Sequence, residues 1–389
     1  MRSLCLGVLV ITLAATSCSK LRQTLPKAVI ESLNFSEGWS FTISTFNVYC
    51  LPLFAPDKKE RMTAIGYALA QRKIDVATLQ ENWTSEGRRD LLRGSALASS
   101  AYFDKEGTLG SGLFLITPHT IDFKNFWPFT LDGRFLRFWE GDRATAKGIA
   151  MIKFTKDGIP LDIFDMHTLA RYKDYLKPSD SYTPERLAQL FEAFDFIVTL
   201  RDSAAFALGA DFNSDNGSEE FKFWLELTGL ETSALSGDNS CTYCPPNSFV
   251  ESTQGQLDHI SISPVLAFSQ VSRDFEDKIF TKKGEWTSLS DHFGLTAKIV
   301  SRNAVKTLTP DIFKAIHYLK WRLEDYLTWY SPLGRPDDQP GKLEIKKQIE
   351  YVLKRVVFYI GAVESHTDLS PEAKDLDHKV QSYLALFKN

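Results

Sequence analysis

Between Phe41 and Val300 the sequence alternates short apolar runs, typical of β-strands, with longer amphipathic runs, typical of helices. The strand-like runs are rich in β-branched or aromatic residues and cover 41–49, 74–80, 111–117, 148–154, 161–168, 204–211, 257–263 and 293–300. The helical runs cover 58–72, 83–98, 184–201 and 218–228. So many strands exceed what one flat sheet of this length comfortably holds. The pattern therefore predicts an α/β fold in which two sheets pack together with helices outside them.

After Val300 the strand-like runs stop and the sequence becomes helical. Amphipathic runs follow one another, and the Pro- and Gly-rich stretch 331–341 interrupts them. We therefore predict an α/β domain over residues 41–302 and a helical C-terminal extension over residues 303–389. We expect the extension to pack on the α/β body.

The N-terminal segment has the pattern of an export signal. Residues 1–17 combine Arg2, a short apolar run and small residues before Cys18. The Ala-Thr-Ser-Cys sequence resembles the bacterial lipobox. That resemblance implies lipidation of Cys18 and a tether over residues 18–40. It also implies an exported protein held by a lipid anchor in the bacterial cell envelope, and Ser19 favours the outer membrane. The alternative is an ordinary cleaved signal and a secreted protein. No internal run of 18 uncharged apolar residues predicts a membrane-spanning helix.

Cys241 and Cys244 form a Cys-x-x-Cys pair. A structural zinc site needs four ligands, which one such pair does not provide. In an oxidising compartment the two thiols can close a small disulfide ring, and free thiols are the alternative.

Polar residues that can bind a metal or move a proton stand at the ends of the apolar runs. In chain order they are Asn47, Glu81, His167, Asp211, Asn213, Asp258, Asp291 and His292. Strand ends suit catalytic groups because the sheet fixes their positions while the loops leave room for substrate. The ordinary explanation for each residue alone is a turn or a surface histidine. As a set, Glu81, Asn47, Asp211 and Asp291 supply oxygen ligands, which favour Mg²⁺ or another divalent hard cation over zinc.

The motifs that contain these residues resemble those of the endonuclease/exonuclease/phosphatase superfamily. They occur in the family's order as FNVYCLP (46–52), TLQENW (78–83), MHTLA (166–170), GADFNS (209–214), QLDHISIS (256–263) and SDHFGLTAKI (290–299). Within the superfamily the chain is most similar to neutral sphingomyelinases, because LGSGLFLIT (109–117) and EGDRATAKGIAMI (140–152) resemble their glycine-rich strand and their Asp…Lys-Gly block. Asp142 and Lys147 fall on that block and are predicted to bind substrate.

The resemblance implies a four-layered α/β/β/α sandwich with the site at one edge of the paired sheets. It also implies that Glu81 is the principal Mg²⁺ ligand, assisted by Asn47, with Asp291 beside the metal. His292 would be the general base, oriented by Asp258, and would activate water for in-line attack on a phosphodiester.

The same resemblance assigns the phosphate to two other residues. His167 and Asn213 would bind the phosphate oxygens and stabilise the charge of the transition state. Asp211 would orient the attacking water or bind a second metal, and both roles stay open.

The substrate class is a separate question. The aromatic segment 123–142 favours a phospholipid at a membrane surface, such as sphingomyelin cleaved to ceramide and phosphocholine, because exposed aromatic rings suit a membrane interface. The ordinary reading is that these rings pack in the core. The alternative function is a secreted or surface metal-dependent endonuclease. The net charge of −4, from 45 basic and 49 acidic residues, supplies no general attraction for nucleic acid. No protein partner is inferred.

Overall fold

The computed structural model of the protein describes residues 33–52, 55–95, 100–104, 109–131, 145–171, 182–237, 240–253, 255–302, 308–330, 339–365 and 369–387. Its strands are Ser40–Asn47 (β1), Val76–Gln80 (β2), Ser100–Phe103 (β3), Phe114–Thr117 (β4), Phe123–Pro128 (β5), Gly148–Lys156 (β6), Ile159–His167 (β7), Phe206–Asp211 (β8), Glu231–Thr232 (β9), Asp258–Ile262 (β10), Leu266–Asp274 (β11), Lys278–Phe280 (β12), Trp286–Ser288 (β13) and Gly294–Ser301 (β14). Its helices are Lys58–Gln71 (α1), Ser85–Gly94 (α2), Thr183–Leu200 (α3), Glu219–Thr228 (α4), Ile312–Tyr330 (α5), Gln339–Glu364 (α6) and Pro371–Leu384 (α7).

The strands form two six-stranded mixed sheets and one small hairpin. The first sheet has the order β11-β14-β1-β2-β4-β3, the second has the order β5-β6-β7-β8-β10-β9, and β12 pairs with β13. Two pairs, β1 with β2 and β7 with β8, are parallel. Every residue of β2 and β8 is buried, as expected for central strands covered on both faces.

Three hydrophobic clusters define the layers. Side chains such as Ile43, Ile163 and Leu295 pack between the two sheets. The outer face of the first sheet packs on α1 and α2, and the outer face of the second packs on α3 and α4. This arrangement confirms the predicted α/β/β/α sandwich with helices after it.

The C-terminal helices α5, α6 and α7 belong to the same core cluster as α3. This position explains why α3 is buried on nearly all sides, polar residues included. Asp195 on α3 accepts hydrogen bonds from Arg355 Nε at 2.7 Å and from the Tyr359 hydroxyl at 2.9 Å, both on α6. No helix in the described ranges is both long and apolar enough to cross a lipid bilayer.

The strand-like and helical runs predicted from periodicity all contain the corresponding elements, with ends shifted by a few residues. The prediction missed β3, β5, β9 and β11, as well as the β12–β13 hairpin. β11 lies at a sheet edge and is half exposed, so its sequence LAFSQVSRD lacks a buried apolar run. β5 is also an edge strand and ends in Pro128, which has no N–H to donate to a sheet.

Candidate active site

The topology brings the predicted site residues to one edge of the sandwich. The parallel pairs β1–β2 and β7–β8 end together at Asn47 with Gln80 and at His167 with Asp211. Strand β10 runs antiparallel to β8 and begins at Asp258, directly opposite Asp211. Strand β14 runs antiparallel to β1, so Asp291 and His292, which precede it, lie at this edge too.

The two sheets approach each other closely beneath this edge. A Cβ atom added to Gly209 on β8 would lie 2.1 Å from Thr78 Oγ1 on β2 and 3.0 Å from Thr45 Cβ on β1. Glycine is therefore required there by close contact rather than by backbone conformation. The close approach lets Asn47 Nδ2, at the end of β1, donate a 2.9 Å hydrogen bond to Asp211 Oδ2 on the opposite sheet.

His292 and Asp258 form a buried hydrogen-bonded pair. His292 Nδ1 lies 2.8 Å from Asp258 Oδ2, and His292 Nε2 lies 3.8 Å from Asp211 Oδ2. Burial alone would lower the pKa of His292, but the carboxylates of Asp258 and Asp211 outweigh it and hold that pKa well above the usual histidine range. Burial raises the pKa of Asp258 itself. The pair thus has the geometry of a base whose second nitrogen is fixed by a carboxylate.

Asp211 lies at the centre of the cluster. Ligand atoms of Asp211, Asp258 and His292 all lie within 4.8 Å of one another. Burial alone would raise the pKa of Asp211, but the His292 and His167 imidazoles and the hydrogen bonds from Asn47 and Asn213 bring it below the usual value. Asp211 is therefore a carboxylate that stays charged inside the protein.

His167 and Lys147 approach the cluster from β7 and from the residue before β6. The Lys147 ammonium lies 3.1 Å from His167 Nε2 and donates a 3.0 Å hydrogen bond to the Thr168 carbonyl. His167 Nε2 also lies 3.5 Å from Asp211 Oδ2. Burial and the Lys147 ammonium hold the pKa of His167 well below its usual range, so its ring is neutral. His167 Nε2 therefore accepts from the Lys147 ammonium, and this cationic donor lies where a phosphate oxygen could be bound.

Glu81 and Asp291 form the acidic side of the site. Glu81 follows β2 with a φ of 58°, in the left-handed region. Burial, followed by the Asp291 carboxylate, raises the pKa of Glu81 to about 7, and burial raises the pKa of Asp291. Crowding of like charge raises carboxylate pKa values, and a bound cation relieves it. Oxygen ligands suit a hard cation, so this donor set fits Mg²⁺.

The two asparagines are already hydrogen-bonded. Asn47 Oδ1 accepts the Tyr49 N–H at 3.1 Å, so only the second lone pair of that oxygen remains for a metal. Asn213 has a φ of 48°; its N–H donates to Asp211 Oδ1 and its Nδ2 donates to the Thr168 carbonyl at 3.0 Å. Asn213 therefore stands beside Asp211. Asp142 and Cys18 lie outside the described residues.

The sequence pattern of the Endonuclease/Exonuclease/phosphatase family matches residues 44–292. The chain belongs to this family. The match confirms the resemblance read from the motifs, and it spans the residues from β1 to His292 that build the site.

Curated relatives of this endonuclease/exonuclease/phosphatase chain include sphingomyelin phosphodiesterase 2 of Homo sapiens, which is 26% identical over 290 residues, covering 70% of this chain and 68% of the relative. The rat protein of the same name is 25% identical over 284 residues, covering 69% of this chain and 67% of the relative. A Drosophila melanogaster relative is 26% identical over 270 residues, and the chain spans only 60% of its length. These relatives and the family support the predicted enzyme class, a metal-dependent phosphodiesterase.

Solved structures of family members share the fold. A crystal structure of beta toxin from Staphylococcus aureus has a TM-score of 0.54 and 20% identity and covers 66% of this chain and 99% of that one. The structure of SmcL has a TM-score of 0.52 and 22% identity and covers 67% and 98%. D. rerio TDP2 complexed with single strand DNA product has a TM-score of 0.51 and 17% identity and covers 67% and 99%. At these identities the likeness concerns the fold alone.

Two features near the site were missed by reading the sequence. The first is an aromatic wall: the Tyr243 ring packs edge-on against the His292 ring with centroids 5.1 Å apart, and Tyr49 packs against Phe249 at 5.6 Å. Tyr243 lies in the ring closed by the Cys241–Cys244 disulfide. The structure thus has the disulfide that the sequence analysis allowed, not the free thiols. A Cys-x-Tyr-Cys sequence alone gives no sign that its tyrosine reaches a histidine 49 positions later.

The second missed feature is the β12–β13 hairpin, which ends three residues before Asp291. It exposes 60% of Phe280 and 66% of Trp286, whose rings lie 5.4 Å apart. The segment predicted to serve a membrane, 123–142, behaves differently where it is described. Phe126 and Phe129 are buried, and Phe123 and Trp127 pack against the core. The rest of that segment, from residue 132 onward, lies outside the described residues.

Proposed function

We propose that the protein is a Mg²⁺-dependent phosphodiesterase that cleaves a phospholipid such as sphingomyelin to ceramide and phosphocholine by direct in-line attack of water. The observation that carries this proposal is the buried His292–Asp258 pair facing Asp211, with the partly buried carboxylates of Glu81 and Asp291 close enough that Asp291 raises the pKa of Glu81. The relatives named sphingomyelin phosphodiesterase 2 support the substrate class.

His292 acts as the general base. Asp258 accepts the Nδ1–H, so loss of the Nε2 proton, which the raised pKa of His292 opposes and a bound cation would favour, directs a lone pair toward Asp211. A water molecule held between His292 Nε2 and Asp211 Oδ2, which are 3.8 Å apart, gives its proton to Nε2 as its oxygen attacks phosphorus. The bond from phosphorus to the ceramide oxygen breaks on the opposite side, and that oxygen takes a proton from solvent water. The charge that develops on the imidazolium is stabilised by the Asp258 carboxylate.

The phosphate oxygens lie on the opposite side, against Lys147, His167 and Asn213. The Lys147 ammonium supplies positive charge, and the neutral ring of His167 accepts from it and so directs it toward the phosphate without adding charge. Fixed donors of this kind stabilise the additional negative charge of the transition state because they need no reorganisation when the charge develops. Asp142, on the same sequence block as Lys147, is proposed to bind substrate with it.

Glu81, Asn47 and Asp291 would hold the metal, with Glu81 as its principal ligand. A divalent cation there would polarise a phosphoryl oxygen and neutralise developing charge. The pKa of Glu81 supports this assignment, because burial and the Asp291 carboxylate raise it to about 7 although Lys147 and His292 act in the opposite direction, and a bound cation would relieve that crowding. A solved structure of a similar protein, a variant of beta toxin from Staphylococcus aureus, is described with bound magnesium ions.

A lipid substrate is favoured over nucleic acid by the exposed hairpin. Phe280 and Trp286 are exposed on the β12–β13 hairpin, which ends three residues before Asp291. Lys282 and Lys283 lie between them in the chain and are largely exposed, although they pair with Glu60 and Asp57. Aromatic rings flanked by lysines suit the interface of a phospholipid membrane. The alternative is a secreted or surface endonuclease. Its support is the fold shared with D. rerio TDP2, whose structure contains a single strand DNA product.

The deciding experiment incubates the protein and Mg²⁺ with sphingomyelin liposomes and, in parallel, with plasmid DNA. We expect phosphocholine release, lost in His292→Ala and Glu81→Ala and retained in His378→Ala, which alters an exposed histidine on α7. DNA nicking without lipid hydrolysis would overturn the lipid assignment. Chelation of divalent cations should stop the reaction, and addition of Mg²⁺ should restore it.

We also propose that the protein is exported and lipid-anchored through Cys18. The Cys241–Cys244 disulfide supports an oxidising compartment, because disulfides persist outside the reducing cytosol. Labelled fatty acid should be incorporated by the wild-type protein in a bacterial host and not by Cys18→Ser. Incorporation by both proteins would contradict the assignment.

A further inference from the structure

A small disulfide ring forms one wall of the proposed active site. The Cys241–Cys244 bond closes it, and the two residues inside the ring are fixed by the neighbouring β10 segment. Thr242 Oγ1 accepts the N–H groups of Leu257 and Asp258 at 2.9 and 3.2 Å. The N–H of Tyr243 donates to the Gly255 carbonyl at 3.2 Å. The backbone of Tyr243 is therefore attached to the strand that carries Asp258.

This attachment sets the position of the Tyr243 ring. The ring meets the His292 imidazole at an interplanar angle of 71°, with centroids 5.1 Å apart. Tyr243 is only partly buried, although its neighbour Thr242 and the His292 that its ring contacts are buried. Part of its surface therefore stays accessible, which a tyrosine of the core would not allow.

Tyr49 lies beside the end of β1 that carries Asn47. Its backbone is held by Arg61, whose Nη2 donates a 2.7 Å hydrogen bond to the Tyr49 carbonyl. The Tyr49 N–H donates to Asn47 Oδ1 at 3.1 Å, and its ring packs against Phe249 with centroids 5.6 Å apart. Like Tyr243, Tyr49 is only partly buried. A second partly exposed phenol is therefore held next to a residue proposed to bind the metal.

The electrostatics of this wall indicate which chemical group it can receive. The face of an aromatic ring carries negative potential and attracts a desolvated cation, most effectively a quaternary ammonium, which makes no hydrogen bonds. Asp291 adds negative charge. If a metal neutralises that carboxylate, the ring faces keep their attraction, so the preference does not depend on the ionisation of Asp291.

We propose that Tyr243, assisted by Tyr49, forms a subsite for the quaternary ammonium of the substrate headgroup, and that the Cys241–Cys244 disulfide ring holds Tyr243 in place for this purpose. This inference rests on the proposed function and identifies the part of the protein that distinguishes choline from other headgroups. The competing explanation is that Tyr243 only shields or orients His292.

The test compares three substrates that share the reaction but differ in the cation. Sphingomyelin carries a quaternary ammonium, ceramide phosphoethanolamine carries a primary ammonium, and bis(p-nitrophenyl) phosphate carries no cation. The variants are Tyr243→Leu, which removes the ring, and Tyr243→Phe, which keeps it. Tyr67→Leu, an exposed tyrosine on α1, is the matched control.

For Tyr243→Leu we expect kcat/KM to fall about tenfold on sphingomyelin and much less on bis(p-nitrophenyl) phosphate, with an intermediate loss on the ethanolamine lipid. Tyr243→Phe should stay within about threefold of the wild type on all three. An equal loss on all three substrates would overturn the subsite and leave Tyr243 as a residue that positions His292. Unchanged kinetics would overturn both roles.

Calorimetric titration of the Mg²⁺-loaded protein with phosphocholine decides the point even if the proposed reaction fails. We expect the wild type to bind phosphocholine and Tyr243→Leu to bind it about tenfold more weakly. Binding without sphingomyelin hydrolysis would contradict the proposed function and leave the subsite standing. No binding by the wild type, or equal binding by both proteins, would overturn the subsite.

Discussion

Gln80 and Asp165 join the two sheets through a 2.7 Å hydrogen bond from the Gln80 amide Nε2 to Asp165 Oδ1. Both side chains are fully buried, and Gln80 immediately precedes Glu81 while Asp165 lies two positions before His167 on the same face of β7. Burial raises the pKa of Asp165 well above its usual value, so the carboxyl is protonated. Gln80 Oε1 and Asp165 Oδ2 have no other partner in the described structure, and a protonated Oδ2 can donate to Oε1.

A protonated acid in this pair can be replaced by an amide. We expect Asp165→Asn to keep both hydrogen bonds and to remain within about 1 kcal/mol of the wild type near pH 4, whereas Asp165→Ala should lose about 2–4 kcal/mol of unfolding free energy. The folded-state pKa of Asp165 lies above its unfolded value. Its stabilising contribution is therefore complete below the unfolded pKa and is lost as pH rises, so Asp165→Asn should gain stability relative to wild type at higher pH.

Urea unfolding at several pH values measures these differences. Equal destabilisation by Asn and Ala at every pH would show that Asp165 is ionised in the folded protein and that the pair has a different proton arrangement.

A second prediction concerns the base. Asp258→Asn removes the carboxylate that raises the pKa of His292, so the acidic limb of the pH profile of kcat/KM should move to lower pH. The rate at the optimum should fall by about 10²–10⁴, because the imidazolium loses its charged partner. Asp157→Asn, at an exposed turn, is the matched control and should leave the profile unchanged. A profile with the same acidic limb in Asp258→Asn would exclude His292 as the titrating base.

Some of this site could be read from the sequence because of how strands end. Asn47, Glu81, His167 and Asp211 interrupt apolar runs, and a polar residue at such a point is visible without knowing the fold. The 3.8 Å approach of His292 to Asp211 was not visible, because it depends on the register of β8 with β10 and on the space left by Gly209.

Other features depend on contacts between distant segments that local periodicity does not encode. Tyr243 reaches His292 only because Thr242 is hydrogen-bonded to β10. The rings of Phe126 and Phe129 look no different in sequence from those of Phe280 and Trp286. The first two are buried and the last two are exposed, since β5 packs in a sheet and the β12–β13 hairpin stands apart from both sheets.

The hairpin leads to a third prediction. Changing Phe280 and Trp286 together to Ser should weaken binding to sphingomyelin vesicles at least tenfold, because two rings lose their contact with the membrane interface. Hydrolysis of soluble bis(p-nitrophenyl) phosphate should change less than about twofold, since neither ring belongs to the catalytic cluster. Trp321→Ser, which removes a tryptophan that is 57% exposed on α5, is the matched control. Vesicle co-sedimentation measures binding. Equal losses on vesicles and on the soluble substrate would contradict a membrane role.

A fourth prediction tests the metal assignment by comparing the Tm of Glu81→Gln with that of the wild type, with and without Mg²⁺. Glu81→Gln removes a carboxylate whose pKa is raised to about 7 by burial and by Asp291, so the variant should melt at a higher temperature than wild type in the presence of a chelator. Added Mg²⁺ should raise the Tm of the wild type and leave that of the variant nearly unchanged, because ligand binding stabilises only a protein that binds it. Asp157→Asn should follow the wild type under both conditions. A full Mg²⁺-dependent Tm increase in Glu81→Gln would exclude Glu81 as the principal ligand.

The last prediction concerns His259, which follows Asp258 in β10 but faces away from the catalytic cluster. Its ring packs between Phe212 and Phe221, with centroids 5.0 and 4.7 Å away, and its Nε2–H donates to the Ser214 carbonyl at 3.2 Å. The Gln256 amide Nε2 lies 3.4 Å from the other ring nitrogen, Nδ1. Gln256 Oε1 already accepts N–H groups from Asn216 and Leu235. The Gln256 amide therefore cannot rotate to place its oxygen next to Nδ1, and a protonated Nδ1 would have no acceptor there.

Burial accordingly lowers the pKa of His259 to about 4, whereas an unfolded histidine titrates near 6.5. As pH falls, the histidine of the unfolded chain binds a proton before that of the folded protein does. The contribution of the neutral ring to the free energy of unfolding is therefore fully present above about pH 6.5 and is lost between about pH 6.5 and 4. The difference amounts to about 3 kcal/mol across that window. His259→Gln cannot titrate, so its unfolding free energy should fall less steeply over the same range. Some slope should remain, because the lowered pKa of His167 acts in the same direction. An unaltered slope in urea unfolding would show that His259 takes up its proton without disturbing the folded protein.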